Sequence, residues 1–364
     1  MPATQTTVEA LGVAVAARVP VLLWGAPGTG KTSAVKAMSA ALGLPCETVI
    51  ASIREPSDFA GLPVVVDGKV IFAPPRWARN LASQERGVLF LDELSTAPPA
   101  VQAALLRVVL ERVVGDLALP EAITVIAAAN PPEYAADGWD LSPPLANRFC
   151  HLDWPVDAQA FAEGLSAGWP APIVPALPAG WDSQLAIGCG LVSAFVSVRP
   201  TLVVAVPDDA SSAGRGWPSP LSWEMAAVLW TAATLAGASE EARGALIMGA
   251  VGQGPGIELL NWAGEMDLPD PEEVLANPRA FVLPDRGDRA YAALAAIASA
   301  VAADPTEERW LAAWTVLGRS AGKGADVAAL AARVLAQCRP AGVAAPAEVR
   351  LFAPVLRHAG LLDR

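Results

Sequence analysis

What this chain has little of narrows the field before any motif is read. Charged residues make up only 17% of the 364, and acids outnumber bases, 37 against 25, for a formal net charge of −12. There is no basic excess and no basic stripe, the footprint with which nucleic-acid binders meet a phosphate backbone. A nucleic-acid partner is therefore not expected, and only a local basic loop escapes the argument. Histidine occurs twice (His151, His358) and cysteine four times (Cys46, Cys150, Cys189, Cys338). The cysteines lie far apart with no C-x-x-C pair, and the adjacent Cys150 and His151 would point to opposite faces of a strand. That spacing suits buried free thiols better than a structural zinc site. Long apolar runs are absent too. The longest apolar helix candidate, 225–238, is too short to cross a bilayer and follows Glu224. No basic leader opens the chain, so a soluble, cytoplasmic protein with no membrane partner is expected.

Low charge does not mean disorder here. Hydrophobic residues reach 53%, enough for packed cores, and the length accommodates two domains with an appendage. Residues 25–32 read Gly-Ala-Pro-Gly-Thr-Gly-Lys-Thr and fit G-x-x-x-x-G-K-[ST] at every fixed position. Before them, 19–24 is a short apolar run suited to a buried strand; after them, 33–42 is an Ala-rich helical segment. A strand feeding a glycine-rich loop that opens a helix makes a phosphate cradle, because backbone N–H groups and the helix N-terminus converge on the anion. Gly25, Ala26, Pro27, Gly28, Thr29, Gly30, Lys31, Thr32 and Ser33 are the expected nucleotide-binding residues. Lys31 should reach the β- and γ-phosphates of ATP, and Thr32 should ligate Mg²⁺. An ordinary βα turn would account for the glycines but not for the Lys-Thr pair in this setting.

The pattern along the chain predicts an entry helix over 6–18, strands over 19–24, 48–52, 87–91, 122–129 and 149–154, and helices over 75–83 and 99–111. Asp67-Gly68, between apolar runs, predicts a hairpin over about 61–73; Gly115-Asp116 predicts another over about 112–120. Strands alternating with helices imply a parallel sheet covered on both faces, with ligands at the carboxyl ends of the strands. Beyond residue 155 the pattern is almost wholly helical, with candidates over 181–196, 219–236, 239–251 and 255–265, and about four more Ala-rich helices in 286–361. The expected division is an αβα core (1–154), a helical lid (155–280) and a C-terminal helical extension (281–364).

Three further elements carry chemistry. Val88–Leu91 is an apolar strand ending in Asp92-Glu93. Two acids where ligands sit can share the work: Asp92 holds Mg²⁺, and Glu93 polarises a water as base. Ile126–Ala129 is a strand ending in Asn130, which could orient the lytic water or touch the γ-phosphate; taken alone, Asn-Pro reads better as a turn. Arg148, in Asn147-Arg148-Phe149, precedes the last strand. A lone arginine is most often a surface residue, but at a sheet edge it could reach a neighbouring subunit, and an arginine supplied in trans stabilises phosphoryl transfer.

In this order the four elements resemble the AAA+ ATPases: Walker A (25–32), Walker B (88–93), sensor 1 (Asn130) and the arginine finger (Arg148). The resemblance narrows to the MoxR-like, dynein-related branch. Residues 55–62 with the hairpin after them are similar to that branch's insert in helix 2, 112–120 to its hairpin before sensor 1, and 144–149 to its arginine-finger box. The resemblance covers roughly residues 10–265. It implies a P-loop αβα core with an all-α lid, Mg²⁺-ATP bound and hydrolysed at a subunit interface, and a homo-oligomeric ring, typically a hexamer. It also implies a chaperone that remodels or matures a protein client, often one carrying a von Willebrand factor A domain. Alternatives are the motor subunit of a metal chelatase-like complex, or a low-turnover, ATP-dependent scaffold. One departure stands out. Pro218–Met225 resembles the sensor 2 segment at the start of a lid helix, expected to face the nucleotide, but Leu221 stands where the branch carries arginine. Leucine cannot contact phosphate; Arg215 and Arg199 are the nearby cations that could replace it, or the contact is missing.

Overall fold

The computed structural model describes residues 3–134, 139–169, 171–172, 174–265, 268–358 and 360–361. Helix α1 (Ala3–Ala16) leads into β1 (Val21–Trp24), then α2 (Lys31–Ala41), β2 (Cys46–Ile50), α3 (Ser57–Ala60), the hairpin β3 (Leu62–Val66) and β4 (Lys69–Ala73), and α4 (Arg76–Ala82). Next come β5 (Gly87–Asp92), α5 (Pro99–Glu111), the short hairpin β6 (Val113–Val114) and β7 (Leu117–Ala118), β8 (Ile123–Ala129), α6 (Pro143–Ala146), β9 (Cys150–Asp153) and α7 (Ala158–Ala167). The remainder is helical: α8 (Ala186–Val198), α9 (Ala210–Ala213), α10 (Pro220–Leu235), α11 (Glu240–Val251), α12 (Gln253–Gly264), α13 (Pro271–Ala276), α14 (Gly287–Ala303), α15 (Glu307–Gln337) and α16 (Ala353–His358). Among the described residues no helix is long and apolar enough to cross a membrane.

The main sheet has five parallel strands in the order β2-β5-β8-β1-β9. Its inner strands are continuous apolar runs, buried at every position of β1 and β8, as a sheet covered by helices on both faces requires. On one face Leu22, Leu89, Leu91 and Ala127 pack with Trp77, Leu105, Leu145 and Phe149 into a single core. The expected α/β P-loop architecture is therefore present, followed by an all-helical remainder. Strand β2 lies slightly earlier than 48–52, because Cys46 takes its register from Val88 and the chain then turns into a short 3-10 segment, Ala51–Ile53. Ser52 thus belongs to a turn at the carboxyl end of the sheet.

Both predicted hairpins form. Asp67 and Gly68 have φ of 51° and 74°, the left-handed pair that a two-residue hairpin turn uses. The second hairpin clasps the first: Asp116 N–H donates to Phe72 O (3.0 Å), and Phe72 N–H to the Asp116 carboxylate (2.8 Å). A Cβ on Gly115 would lie 2.4 Å from Phe72 O, so only glycine permits this approach. Leu62, Val65, Val70 and Phe72 of the first hairpin remain exposed.

The chain divides into two compact units, 1–178 with 204–257, and 179–203 with 258–364. These divisions do not coincide with the expected boundaries at 154/155 and 280/281. Residues 204–257, including α10 and α11, pack with the sheet; α8 packs with α14 in the second unit. Instead of four similar helices, the C-terminal block holds two long ones, α14 and α15, then a 3-10 turn (Ala347–Phe352) and the short α16. The run 307–337 contains glycines but no proline. Glycine lowers helix propensity by only about 1 kcal/mol where proline breaks a helix, so α15 continues through it. Its core is aromatic and aliphatic: Trp310, Trp314, Leu317 and Phe352 are buried together.

Candidate functional site

The loop between β1 and α2 is built as the sequence dictates. Gly28 and Gly30 have φ of 75° and 87°, which turns backbone N–H groups inward ahead of the first turn of α2. Lys31, at that first turn, is buried, and its ammonium donates to Gly25 O (2.6 Å), Ala26 O (3.0 Å) and Asn130 Oδ1 (3.1 Å). Burial lowers its pKa, and the nearby Asp92 carboxylate opposes that shift. Thr32 donates its hydroxyl to Asp92 Oδ2 (2.8 Å), and the other Asp92 oxygen accepts from Glu93 N–H (3.0 Å). Pro27, Gly28, Thr29, Gly30, Lys31, Thr32, Ser33, Asp92, Glu93, Ala128 and Asn130 line one cleft of about 330 Å³. Gly25 and Ala26 bound it through the carbonyls that hold Lys31. Residues from β1, β5 and β8 thus meet at the carboxyl ends of adjacent strands, where parallel sheets bind ligands.

These residues fit a metal-nucleotide. A buried lysine, hydrogen-bonded among the described residues to neutral oxygens, offers charge to a polyphosphate. The hydroxyl–carboxylate pair of Thr32 and Asp92 is a hard-oxygen set of the kind Mg²⁺ takes, together with waters and phosphate. Glu93 leaves the strand in the left-handed conformation, φ 57°, uncommon for a side chain with a Cβ and of the kind that gathers at functional sites.

Three supporting groups carry no sequence signal. The Ser52 hydroxyl donates to the Glu93 carboxylate and occupies a lone pair that a water would otherwise meet. Ser95, buried just after β5, accepts from Asn130 N–H (3.0 Å) and so fixes the base of that amide. Trp154, following β9, donates its indole N–H to Thr29 O (3.1 Å) and straps the loop to the edge strand.

Arg148 stands apart. It precedes β9, whose Cys150 pairs with Val21 at the start of β1. Gly25 lies four residues further along, so Arg148 is at least about 13 Å from its own phosphate loop at about 3.3 Å per strand residue. Its guanidinium donates one N–H to Pro144 O, while its Nε is buried with no hydrogen-bond partner among the described residues.

The sensor 2 expectation is corrected. Helix α10 does not begin over the cleft. Its N-cap, Ser219, donates to Asn147 Oδ1 (2.5 Å), and Asn147 Nδ2 donates to Trp217 O (2.8 Å). The start of α10, which carries Leu221, therefore lies by Asn147, ahead of β9, and Leu221 is not among the residues that line the cleft. The reason is the path of residues 215–219, which descend along β9 from Asp153 to Asn147. Nor does either candidate replacement line the cleft. Arg215 bonds Asp153 (2.8 Å) and lies over the Trp24 ring (4.4 Å), whereas Arg199 pairs with Glu258 (3.6 Å) in the other unit. His151, inside β9, accepts from Trp24 Nε1 (2.8 Å) and contacts Ala146 O through Nε2 (2.8 Å). Burial lowers its pKa to about 4, so it is neutral, with the proton on Nε2.

A glycine-rich loop at a strand–helix junction, facing two acids and a polar amide on adjacent parallel strands, defines a P-loop nucleotide phosphohydrolase. Residues 20–149 match the AAA domain of the dynein-related subfamily. That stretch is an AAA+ ATPase domain, and it binds nucleotide. Among solved structures, a "putative ATPase" from Cytophaga hutchinsonii aligns over 68% of this chain and 81% of its own, at 15% identity and a TM-score of 0.41. A full-length MCM homolog from Methanopyrus kandleri aligns over 72% of this chain and 56% of its own, at 18% identity and a TM-score of 0.39. No curated protein sequence matches the chain.

Proposed function

We propose that this protein is a MoxR-like AAA+ ATPase that hydrolyses Mg²⁺-ATP in a homo-oligomeric ring and uses the cycle to remodel or mature a partner protein. A client with a von Willebrand factor A domain is the expected partner class. The observation that carries the reading is the joint presence, in one cleft, of the Lys31–Asn130 and Thr32–Asp92 hydrogen bonds with Glu93 beside them. In this reading Gly25–Ser33 hold the phosphates, with Lys31 on the β- and γ-phosphates. Thr32 and Asp92 hold Mg²⁺, which neutralises phosphate charge when bound. Glu93 accepts the proton of the attacking water, and Asn130 orients that water. Arg148 belongs to a neighbour's site, since it cannot reach its own. Head-to-tail contacts of this kind close into rings when the rotation permits. The intact acids disfavour a low-turnover scaffold, and Leu221, which does not line the cleft, gives that alternative no support.

Two variants test the chemistry. Lys31→Ala is expected to abolish ATP binding by calorimetry with folding intact. Glu93→Gln is expected to keep ATP affinity while slowing hydrolysis by about two orders of magnitude or more, the usual range for a general base. Unchanged affinity in the first, or wild-type turnover in the second, contradicts the assignment.

A further inference from the structure

We infer that Asn147 is the positioning residue for Arg148, tying that arginine to the start of α10 and acting on hydrolysis in the adjacent subunit. The inference rests on the reading of Arg148 as an arginine supplied in trans. Asn147 is 5% exposed, unusual for an amide beside a charged surface residue, and both ends of its side chain are engaged. The carbonyl accepts from the Ser219 hydroxyl, and the NH₂ donates to Trp217 O. Ser219 is itself locked by a capping box: Ser222 N–H donates to Ser219 Oγ (3.1 Å), and Ser219 N–H to Ser222 Oγ (2.9 Å). On the other side of Arg148, Phe149 is fully buried. The backbone between these anchors hangs from the end of α6, with Arg148 N–H on Leu145 O (3.2 Å) and Phe149 N–H on Ala146 O (3.1 Å). The arginine is thus carried between two fixed points, one of which belongs to the helical segment 204–257.

That segment has a second attachment at the opposite end of β9, where Arg215 holds Asp153 and covers Trp24, the residue before Gly25. One stretch of chain therefore links the phosphate-loop end of a subunit to the base of its arginine. A side chain acting through another group is judged by what that group does, and a displacement of about 1 Å at a reacting centre can cost about a hundredfold in rate.

Removing the amide should not unfold the protein, because each partner keeps a second bond. Trp217 O still accepts from Ser222 Oγ (2.8 Å), and Ser219 Oγ still accepts from Ser222 N–H.

The test measures ATP turnover in mixtures of two inactive proteins. In the reference pair, Arg148→Ala supplies intact phosphate loops and Lys31→Ala supplies intact arginines, and activity is expected to return in part. Adding Asn147→Ala to the Lys31→Ala subunit, the arginine donor, is expected to lower the recovered rate about ten- to a hundredfold. Adding it instead to the Arg148→Ala subunit, whose arginine is already gone, should leave the recovered rate within about twofold of the reference. Ser219→Ala in the arginine donor should lower recovery in the same direction by less. A merely structural role for Asn147 gives equal losses in both arrangements, and that result overturns the inference, as does full recovery in the first. No recovery in the reference pair despite subunit exchange overturns the trans reading itself, and the inference with it.

Discussion

The two ends of the parallel sheet are made by the same strands, yet their polar groups are settled differently. At the carboxyl end, Lys31 meets Asn130, Thr32 meets Asp92, and Glu93 meets Ser52, all within one chain. At the amino end, Arg148 keeps a buried nitrogen with no partner among the described residues, and the neighbouring helix start brings a leucine. The carboxyl end draws these partners from its own chain. The amino end, in our reading, is completed by a second copy. The strand joining them is β9, with Trp154 at one end and Asn147-Arg148 before the other.

The sharpest way to break this comparison is to remove the cation. Arg148→Ala should leave ATP affinity unchanged in calorimetry and lower turnover of the assembled protein by about three to five orders of magnitude, the usual contribution of an arginine finger. Lost ATP affinity would place Arg148 in its own subunit's site and erase the distinction between the ends.

A second effect concerns β9 as the link. His151 is neutral when folded, with its pKa lowered from 6.5 to about 4 by burial. Above pH 6.5 neither state is protonated and this stability is fully present. As pH falls from 6.5 towards 4, the unfolded chain takes up a proton that the folded one refuses, and stability is lost. The loss is on the order of 3 kcal/mol once pH is below both values. Urea midpoints measured from about pH 7.5 to about pH 4.5 should therefore fall more steeply for the wild type than for His151→Gln. Parallel curves would mean that His151 is protonated in place.

The smallest expected effect is at Leu221. Because it lies at the amino end, Leu221→Arg should leave ATP affinity of dilute, unassembled protein within about twofold, while changing turnover of the assembled protein more than Leu221→Met does. A change of affinity in the dilute protein would return the helix start to its own cleft.

The same contrast explains what was legible in the sequence. The phosphate loop, the apolar strands ending in Asp92-Glu93 and Asn130, and the Asp67-Gly68 turn are local patterns, written within a few consecutive residues. The groups that sequence reading missed act across the fold. Ser52 reaches Glu93 over 41 residues, Ser95 reaches Asn130 over 35, and Trp154 reaches Thr29 over 125. In the sequence Asn147 stands out only as part of a box around Arg148, because its partner Ser219 is 72 residues away. Leu221 was misplaced for a related reason: a motif fixes where a helix starts along the chain, but only the path of 215–219 along β9 fixes which end of the sheet that start meets. In the second unit nothing local separates one Ala-rich helix from the next, so α14 and α15 could be counted only once their packing was known.

The most direct test of the central claim, that each site is finished by the next subunit's Arg148, is the ATPase rate of a mixture of Arg148→Ala and Lys31→Ala, each inactive alone. Interfaces that pair an intact phosphate loop with an intact arginine should form, and turnover should return well above the sum of the separate proteins. No recovery where subunit exchange is demonstrated, or wild-type turnover that stays the same from monomer to assembly as protein concentration rises, would contradict it.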